Sequence, residues 1–240
     1  MRFYKKTQIN KFFVVLILLS LTISFLFIES QVTSLHKVIK YIPIGDSLTI
    51  GEGVDKIDSY PSLLTNDLQK HGKNVWLITN PARLGYTIQK AIETELPIVT
   101  RNKPDLVTVL IGANDRAQKI GIQTFKIKFA YLLDSLLSDV NDKNNIIVMT
   151  IYDYSMTPQG RALDKIPKYK EENAISIEQY NQVIKEEAKK RNLKIVDLFS
   201  FSHQIPNDIS MYTKDGSHPS AKQYALWEKK IFPIINIALK

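Results

Sequence analysis

Three side chains in two short motifs have the types that nucleophilic catalysis requires. Ser47 lies in the segment Gly-Asp-Ser-Leu at residues 45–48, and Asp215 and His218 lie three residues apart near the end of the chain. A serine hydroxyl becomes a useful nucleophile when a base removes its proton and a third group fixes the tautomer of that base. The spacing therefore predicts a nucleophile, Ser47, a base, His218, and an orienting carboxylate, Asp215.

Two further segments have the chemistry to stabilise an oxyanion. Asn80–Gly85 follows the apolar run 75–78, and Gly112–Asp115 follows the apolar run 105–111. Both segments come just after predicted strands, where a backbone N–H or a side-chain amide can face a common crevice. The transition state of acyl transfer needs such donors, because its carbonyl oxygen becomes negatively charged.

The four segments, in this order, resemble the motifs of the GDSL or SGNH hydrolases, a family of esterases and lipases. The four letters of the second name correspond here to Ser47, Gly85, Asn114 and His218, and the similarity covers about residues 38–235. The resemblance implies that the backbone N–H groups of Ser47 and Gly85 bind the oxyanion together with the Asn114 amide. The Gly-x-Ser-x-Gly elbow of the α/β-hydrolases does not occur in this sequence, which argues against that other serine-hydrolase fold.

Short apolar runs predict the strands that must position these residues. Continuous runs at residues 38–44, 75–79, 106–111, 146–151 and 193–198 are typical of strands buried on both faces. Helical patterns between the runs indicate alternating βα units and a parallel sheet with helices on both faces. The predicted fold class is a three-layer α/β fold with the flavodoxin-like strand order 2-1-3-4-5.

Three of the intervening helices have clear sequence signals. A capping box formed by Ser176 and Gln179 opens one of them, and another follows Pro219 and closes the chain. The residues predicted to face the core are Phe125, Phe129, Leu132, Leu133, Leu136, Leu137 and Val140 in the first helix, Tyr180, Val183, Ile184 and Ala188 in the second, and Tyr224, Trp227, Ile231, Ile234 and Ile235 in the third.

This strand order brings the motifs together. Ligands of such sheets bind beyond the carboxyl ends of the first and third strands, where the winding reverses. Ser47 follows the first predicted strand and Asn114 the third, while Gly85 follows the second. The segment with Asp215 and His218 follows the fifth strand. We therefore expect one cleft that contains all of them.

Each of these residues also has an ordinary structural interpretation. Ser47 could be an N-cap, Gly85 could supply a positive φ in a turn, and Asn114 could bind local backbone groups. Asp215 beside a glycine is likewise common in turns. Their joint placement at one edge of one sheet favours catalysis over these separate roles.

Composition excludes several other classes of protein. The chain has 240 residues, a size typical of one domain, and it has no cysteine, so a disulfide framework, a thiolate metal site and a cysteine nucleophile are excluded. Half of the net charge of +8 lies before residue 12, and the remainder shows no basic cluster with aromatics, so nucleic acid is not an expected partner. No cofactor is expected. Neither is a metal, because His36, His71 and His203 show no partner at a meaningful spacing.

The first 28 residues are predicted to be a targeting element. A basic stretch precedes residues 12–28, which carry no charge, and residues 29–36 read as a linker to a catalytic domain at 37–240. The length of the uncharged segment favours an uncleaved membrane anchor over a cleaved signal. The preceding lysines would keep the amino terminus inside, so the catalytic domain is expected outside the cytoplasm, or secreted if the signal is cleaved.

Substrate identity stays open at the level of sequence. Asp46, Arg116 and Tyr154 are candidate substrate contacts, and the long segment 153–173 is a candidate lid or acyl-binding wall. The expected substrate is a small-molecule, lipid or glycan acyl ester, which fits a lipase, an acylesterase, a lysophospholipase or a thioesterase. One alternative is an O-acetylesterase of carbohydrate or cell-envelope material. Another, of a different class, is a membrane-tethered binding module without turnover.

Overall fold

The computed structural model describes residue 16 and the ranges 19–24, 38–166, 176–206 and 208–239. The chain divides into two units, Met1–Val38 and Ile39–Lys240. In the first unit, residues 19–24 are helical and exposed. The predicted linker and most of the predicted anchor lie outside the described residues. Within the described ranges, no helix has the combined length and apolarity that membrane crossing requires.

The second unit is built on a parallel sheet of five strands. The strands are β1 (Ile39–Gly45), β2 (Val75–Leu77), β3 (Leu106–Leu110), β4 (Ile146–Met149) and β5 (Lys194–Val196). Their order in the sheet is β2-β1-β3-β4-β5, as predicted, and every neighbouring pair is parallel. The register places Gly45 opposite Leu110, so β1 and β3 end side by side.

Helices connect the strands and cover both faces. They are α1 (Ser47–Ile50), α2 (Tyr60–Lys70), α3 (Ile88–Lys90), α4 (Leu96–Asn102), α5 (Ala113–Ala117), α6 (Ile122–Asp139), α7 (Pro158–Asp164), α8 (Ser176–Lys190), α9 (Leu198–Ser202) and α10 (Ala221–Ala238). A π-helical turn, Ala91–Glu95, joins α3 to α4. Single 3₁₀ turns cover Lys56–Asp58, Lys143–Asn145, Tyr154–Met156 and Ile209–Met211.

Two apolar layers hold the sheet between the helices. Alternate residues of a strand point to opposite faces, so Ile42 and Ile44 pack in one layer while Tyr41 packs in the other. The first layer includes the apolar faces of α6 and α8, and the second includes those of α2 and α10. The predicted core residues of the three helices lie in these layers, with Leu137 and Ile234 only partly buried.

Four of the five predicted strands were too long at their carboxyl ends, and only β1 extends one residue beyond its prediction, to Gly45. The apolar run 193–198 contains a strand of only three residues, because the Asp197 side chain accepts a hydrogen bond from the Ser200 N–H and begins α9. The strand within the run 106–111 likewise ends at Leu110, and Gly112 is the N-cap of α5. The predicted capping box rests on the Ser176 side chain, which lies outside the described part of the chain.

Candidate active site

The turn from β1 into α1 places Ser47 at the first position of a short helix. Asp46 is the N-cap, and its Oδ1 accepts a hydrogen bond from the Leu48 N–H at 3.0 Å. A Cβ on Gly45 would lie 2.5 Å from the Leu110 carbonyl oxygen, so only glycine allows β3 to approach this closely. Ser47 is 7% exposed, and the exposed part faces a cavity at the sheet edge.

Asp215 and His218 form a hydrogen-bonded pair. The His218 Nδ1 lies 2.6 Å from Asp215 Oδ2, while Asp215 Oδ1 accepts from the backbone N–H groups of Ser217 and His218 and from the Thr213 hydroxyl. Partial burial raises the pKa of Asp215, but these hydrogen bonds outweigh it and hold the pKa well below the ordinary value. Asp215 is therefore ionised at neutral pH and accepts a hydrogen bond from the Nδ1–H of His218.

The segment that carries Asp215 and His218 is held by backbone pairing at its ends and by hydrogen bonds to other segments. An antiparallel bridge closes the segment 212–219 at its two ends. The Tyr152 hydroxyl donates to the Ser217 carbonyl oxygen, and the Gln159 N–H donates to the Gly216 carbonyl oxygen at 2.9 Å. These contacts fix an exposed turn to the residues that follow β4, so the imidazole has a defined position.

Ser47 and His218 line the same cavity, as the predicted topology requires. The cavity has a volume of about 210 Å³. Its walls are a mixture of apolar and aromatic side chains with a few polar groups. The lining residues are Ser47, Leu48, Leu84, Ala113, Asn114, Ala117, Tyr152, Tyr154, Ser217 and His218.

Asn114 lines the cavity from α5, the short helix that follows β3. Its Nδ2 donates to the Tyr86 carbonyl oxygen at 2.9 Å and to Asp46 Oδ2 at 3.2 Å. The next residue, Asp115, is buried and accepts from the Ile88 N–H at 2.8 Å. These bonds join the loops that follow β1, β2 and β3 into one hydrogen-bonded unit.

Two predicted site residues, Asp46 and Gly85, are not among the residues that line the cavity. Asp46 was a candidate substrate contact, but it is fully buried, and its carboxylate faces Leu48 and Asn114 instead of the cavity. Gly85 is exposed and has a positive φ of 79°, and its neighbour Leu84 lines the cavity in its place. The helix N-cap requirement explains the inward orientation of the Asp46 side chain.

Tyr154 lines the cavity, and Arg116 lies against its ring. The Arg116 guanidinium carbon lies 5.4 Å from the centre of the Tyr154 ring, within the range of a cation–π contact. Burial raises the pKa of the Tyr154 phenol to about 12, although Arg116 lowers it. Arg116, a candidate substrate contact in the sequence, is not itself among the residues that line the cavity.

A second histidine has a carboxylate partner that the sequence did not reveal. His203 Nε2 lies 3.2 Å from Asp153 Oδ2, and the half-exposed imidazole packs edge-on against Phe199. The sequence showed no partner at a meaningful spacing, because fifty residues separate the two members of the pair. Among the described residues, no group of histidine and acidic side chains has the arrangement of a metal site.

Three buried carboxyls lie in or next to the turn that carries Ser47. Glu95 Oε2 accepts from the Gly45 N–H at 2.8 Å, and Asp46 and Asp115 accept the bonds described above. Burial raises the pKa of Asp46 to about 7, of Glu95 to about 8 and of Asp115 to about 6. Repulsion adds to burial at two of them, since Asp115 raises the pKa of Asp46 and Asp46 raises that of Glu95.

Sequence reasoning missed Tyr152 and Glu95. Tyr152 lines the cavity and holds the Ser217 carbonyl, but it falls between the predicted fourth strand and the predicted lid. Its signal was its position, since it directly follows an apolar run at the edge where the other motifs lie. Glu95 gave no local signal, because it reaches Gly45 from a helix fifty residues away.

The sequence matches the model of the GDSL-like lipase/acylhydrolase family over residues 44–226. That range includes the Gly-Asp-Ser-Leu segment and the Asp215–His218 pair. The chain belongs to the GDSL-like lipase/acylhydrolase family, a class of carboxylic ester hydrolases, which confirms the resemblance noted from the motifs.

Individual relatives agree with this assignment. An arylesterase from Vibrio mimicus is 32% identical over 114 residues, which are 47% of this chain and 54% of that protein, so the match spans about half of its length. A lipase/acylhydrolase from Enterococcus faecalis shares the fold with a TM-score of 0.68 and 24% identity, over 84% of this chain and 97% of its own. A variant of an acetyl xylan esterase from Geobacillus stearothermophilus gives a TM-score of 0.65 and 19% identity, over 82% and 94%. These structures confirm the predicted fold class.

The raised pKa values predict that stability falls as the pH rises. Asp46, Glu95 and Asp115 bind protons more tightly in the folded chain than in the unfolded chain, where carboxyl pKa values are about 4. The free energy of unfolding should therefore decrease as the pH rises from about 4 toward 8. Carboxyls with a lowered pKa, such as Asp197, have the opposite effect, which is complete once the pH exceeds about 5.

Thermal unfolding between pH 5 and pH 8 checks this prediction. The Tm should decrease over that range, and Glu95→Gln, which cannot ionise, should make the decrease shallower. A Tm that rises steadily from pH 5 to pH 8 would show that the buried carboxyls are not protonated in the folded protein.

Proposed function

We propose that this protein is a serine ester hydrolase in which Ser47 is the nucleophile, His218 the base and Asp215 the group that orients the base. The observation that carries the proposal is the cavity shared by Ser47 and His218, with the Asp215–His218 pair behind it. An ionised Asp215 that accepts a hydrogen bond from Nδ1–H leaves the Nε2 of His218 free to accept a proton. The cavity is large enough for a small acyl group next to both residues.

The reaction would proceed through an acyl-enzyme. His218 removes the Ser47 proton as the hydroxyl oxygen attacks the ester carbonyl carbon, and Asp215 stabilises the resulting imidazolium. The imidazolium then protonates the departing alkoxide, which leaves as the alcohol. Water, deprotonated by His218, attacks the acyl-enzyme, and return of the proton to Ser47 releases the carboxylic acid.

The oxyanion would be bound by donors around the same cavity. The Ser47 N–H lies in the first turn of α1, where backbone N–H groups have no acceptor within the helix, and the family resemblance assigns the other two donors to Gly85 and Asn114. The Asn114 amide already donates to Tyr86 and, over the longer distance of 3.2 Å, to Asp46. We propose that the hydrogen of the longer bond is the one shared with the oxyanion, since it is the weaker of the two.

Covalent labelling tests the nucleophile. A fluorophosphonate probe should modify the wild-type protein, and Ser47→Ala should abolish both labelling and p-nitrophenyl acetate hydrolysis, because no other group takes over the attack. Asp215→Asn should keep the fold but slow labelling by orders of magnitude, since it favours the wrong imidazole tautomer. A folded wild-type protein that resists the probe would favour the alternative of a binding module without turnover.

We propose short-chain acyl esters as the substrate class. A volume of about 210 Å³ is small beside the ~300–1,000 Å³ of typical ligand pockets. Leu84, Ala117 and Tyr154 line this cavity together with Ser47. The names of an arylesterase relative and of an acetyl xylan esterase with the same fold agree with this choice. An O-acetylesterase of glycans or cell-envelope material fits the same cavity.

A series of p-nitrophenyl esters tests the size limit. The kcat/KM should be highest for acetyl to butyryl esters and should fall steeply for octanoyl and longer chains. Tyr154→Ala removes one of the two tyrosine side chains that line the cavity and should raise the relative kcat/KM for the long esters. Tyr131→Ala, an exposed tyrosine on α6 outside the cavity, serves as the matched control and should leave the chain-length profile unchanged.

We propose that the enzyme acts outside the cytoplasm and is anchored by residues 1–28. The support is the sequence pattern alone, in which basic residues precede the uncharged segment 12–28. Cell fractionation with an antibody against the catalytic domain should recover the full-length chain in membranes, from which only detergent releases it. A shortened soluble form that begins near residue 30 would indicate a cleaved signal, and a full-length soluble cytoplasmic form would contradict both.

A further inference from the structure

The last residue of β1 has no strand partner on the side of β2. Backbone N–H groups of alternate residues point to the same side of a strand, and the Ile39 N–H donates to Asn74 just before β2. The pairing of β1 with β2 ends at Tyr41, and Pro43, the next residue on that side, has no N–H. The N–H of Gly45 therefore needs a partner that the sheet does not provide.

The side chain of Glu95 supplies that partner. Its Oε2 accepts the Gly45 N–H at 2.8 Å, and Glu95 is fully buried. Its other oxygen, Oε1, has no hydrogen-bond partner among the described residues. A buried carboxyl with one unsatisfied oxygen costs free energy, so packing alone does not account for a glutamate here.

The backbone around Glu95 is also unusual. Glu95 is the last residue of the π-helical turn Ala91–Glu95, and Pro97 follows in the first turn of α4. A π turn inserts an extra residue into a helix and so changes the direction of the side chains around it. Such turns are frequent at functional sites, and this one coincides with the carboxyl that contacts β1.

We propose that Glu95 is a positioning residue for the nucleophile, because its hydrogen bond to Gly45 takes the place of the missing strand and fixes the turn that presents Ser47. This inference rests on the proposed nucleophilic role of Ser47. Glu95 does not line the cavity, so its effect passes through the backbone of residues 45–47. A shift of a reacting group by about 1 Å can cost about 10²-fold in rate.

The protonation state of Glu95 identifies its best substitute. Burial, and then the carboxylate of Asp46, raise the pKa of Glu95 to about 8, while the Gly45 N–H and the charge of Arg83 lower it. The side chain is therefore neutral at pH 7. Glutamine is also neutral, and its carbonyl oxygen can accept the same Gly45 N–H. Aspartate keeps the acid but is one methylene too short to reach Gly45.

Three variants at this position separate hydrogen bonding from acidity. At pH 7, Glu95→Gln should keep most of the wild-type kcat for p-nitrophenyl acetate. Glu95→Asp and Glu95→Ala should lower kcat by about 10- to 100-fold with little change in KM, because a misplaced nucleophile impairs the chemical step. The rate of fluorophosphonate labelling should follow the same order.

Glu228→Ala is the matched control. Glu228 lies on α10 and is buried, and its Oε1 also has no hydrogen-bond partner among the described residues. Burial, and then Asp67, raise its pKa to about 7, and the charged groups that act on it, Asp67, Lys229 and His71, do not belong to the turn that carries Ser47. Its loss should change the Tm but not the kcat per labelled enzyme. If Glu95→Ala fails to fold, the Gln and Asp variants still decide the question.

Two results would overturn the inference. One is an Asp variant as active as the Gln variant or more so, and the other is a Glu95→Ala enzyme with wild-type kcat. Both leave the proposed function intact as long as the wild-type protein is labelled at Ser47. A wild-type protein that the probe does not label would instead remove the proposed function, and this inference with it.

Discussion

The carboxyl end of β1 must satisfy its backbone N–H groups without help from β2, which has only three residues. The side chain of Glu95 does so for Gly45. Asp46, at the next position, accepts in the same way from Leu48 in the first turn of α1. The short neighbouring strand therefore creates the need for a buried acid beside the end of β1.

These acids carry an electrostatic cost that their hydrogen bonds only partly offset. Asp46, Glu95 and Asp115 are all buried, and burial raises the pKa of each. Where one is ionised, its neighbours are held neutral, because like charges in a poorly solvated region repel strongly. This electrostatic cost falls at the turn that carries Ser47. Under the proposed function, that turn is where a fixed backbone matters most for catalysis.

The sheet and its strand order could be predicted from the sequence because strands buried on both faces give continuous apolar runs. Ile146–Met149 and Leu106–Leu110 have no polar face that would interrupt the pattern except Thr108, which binds the Tyr41 hydroxyl inside the core. The ends of strands were harder to place. At β5, Asp197 caps the start of α9 by a side-chain hydrogen bond. This residue lies inside the run 193–198, so the position at which the strand ends could not be told from the run as a whole.

The site was predictable only where its residues form local motifs. Asp215 and His218 lie three residues apart, so one turn brings them together, and their hydrogen bond follows from the spacing. Contacts of Glu95 with Gly45 and of Asp153 with His203 join residues about fifty positions apart and leave no periodic or local trace. The burial of Asp46 follows from its N-cap geometry, which motif reading does not specify.

Ser47 and His218 are held by different means. Ser47 belongs to a buried turn at the end of a central strand, whereas His218 lies on an exposed segment that depends on contacts from Tyr152 and Gln159. Those two residues flank Tyr154, which forms a wall of the cavity. The segment that contributes this wall therefore also supports His218. Under the proposed function, a change of backbone in this segment would alter specificity and catalysis together, whereas a change confined to the Tyr154 side chain would alter specificity alone.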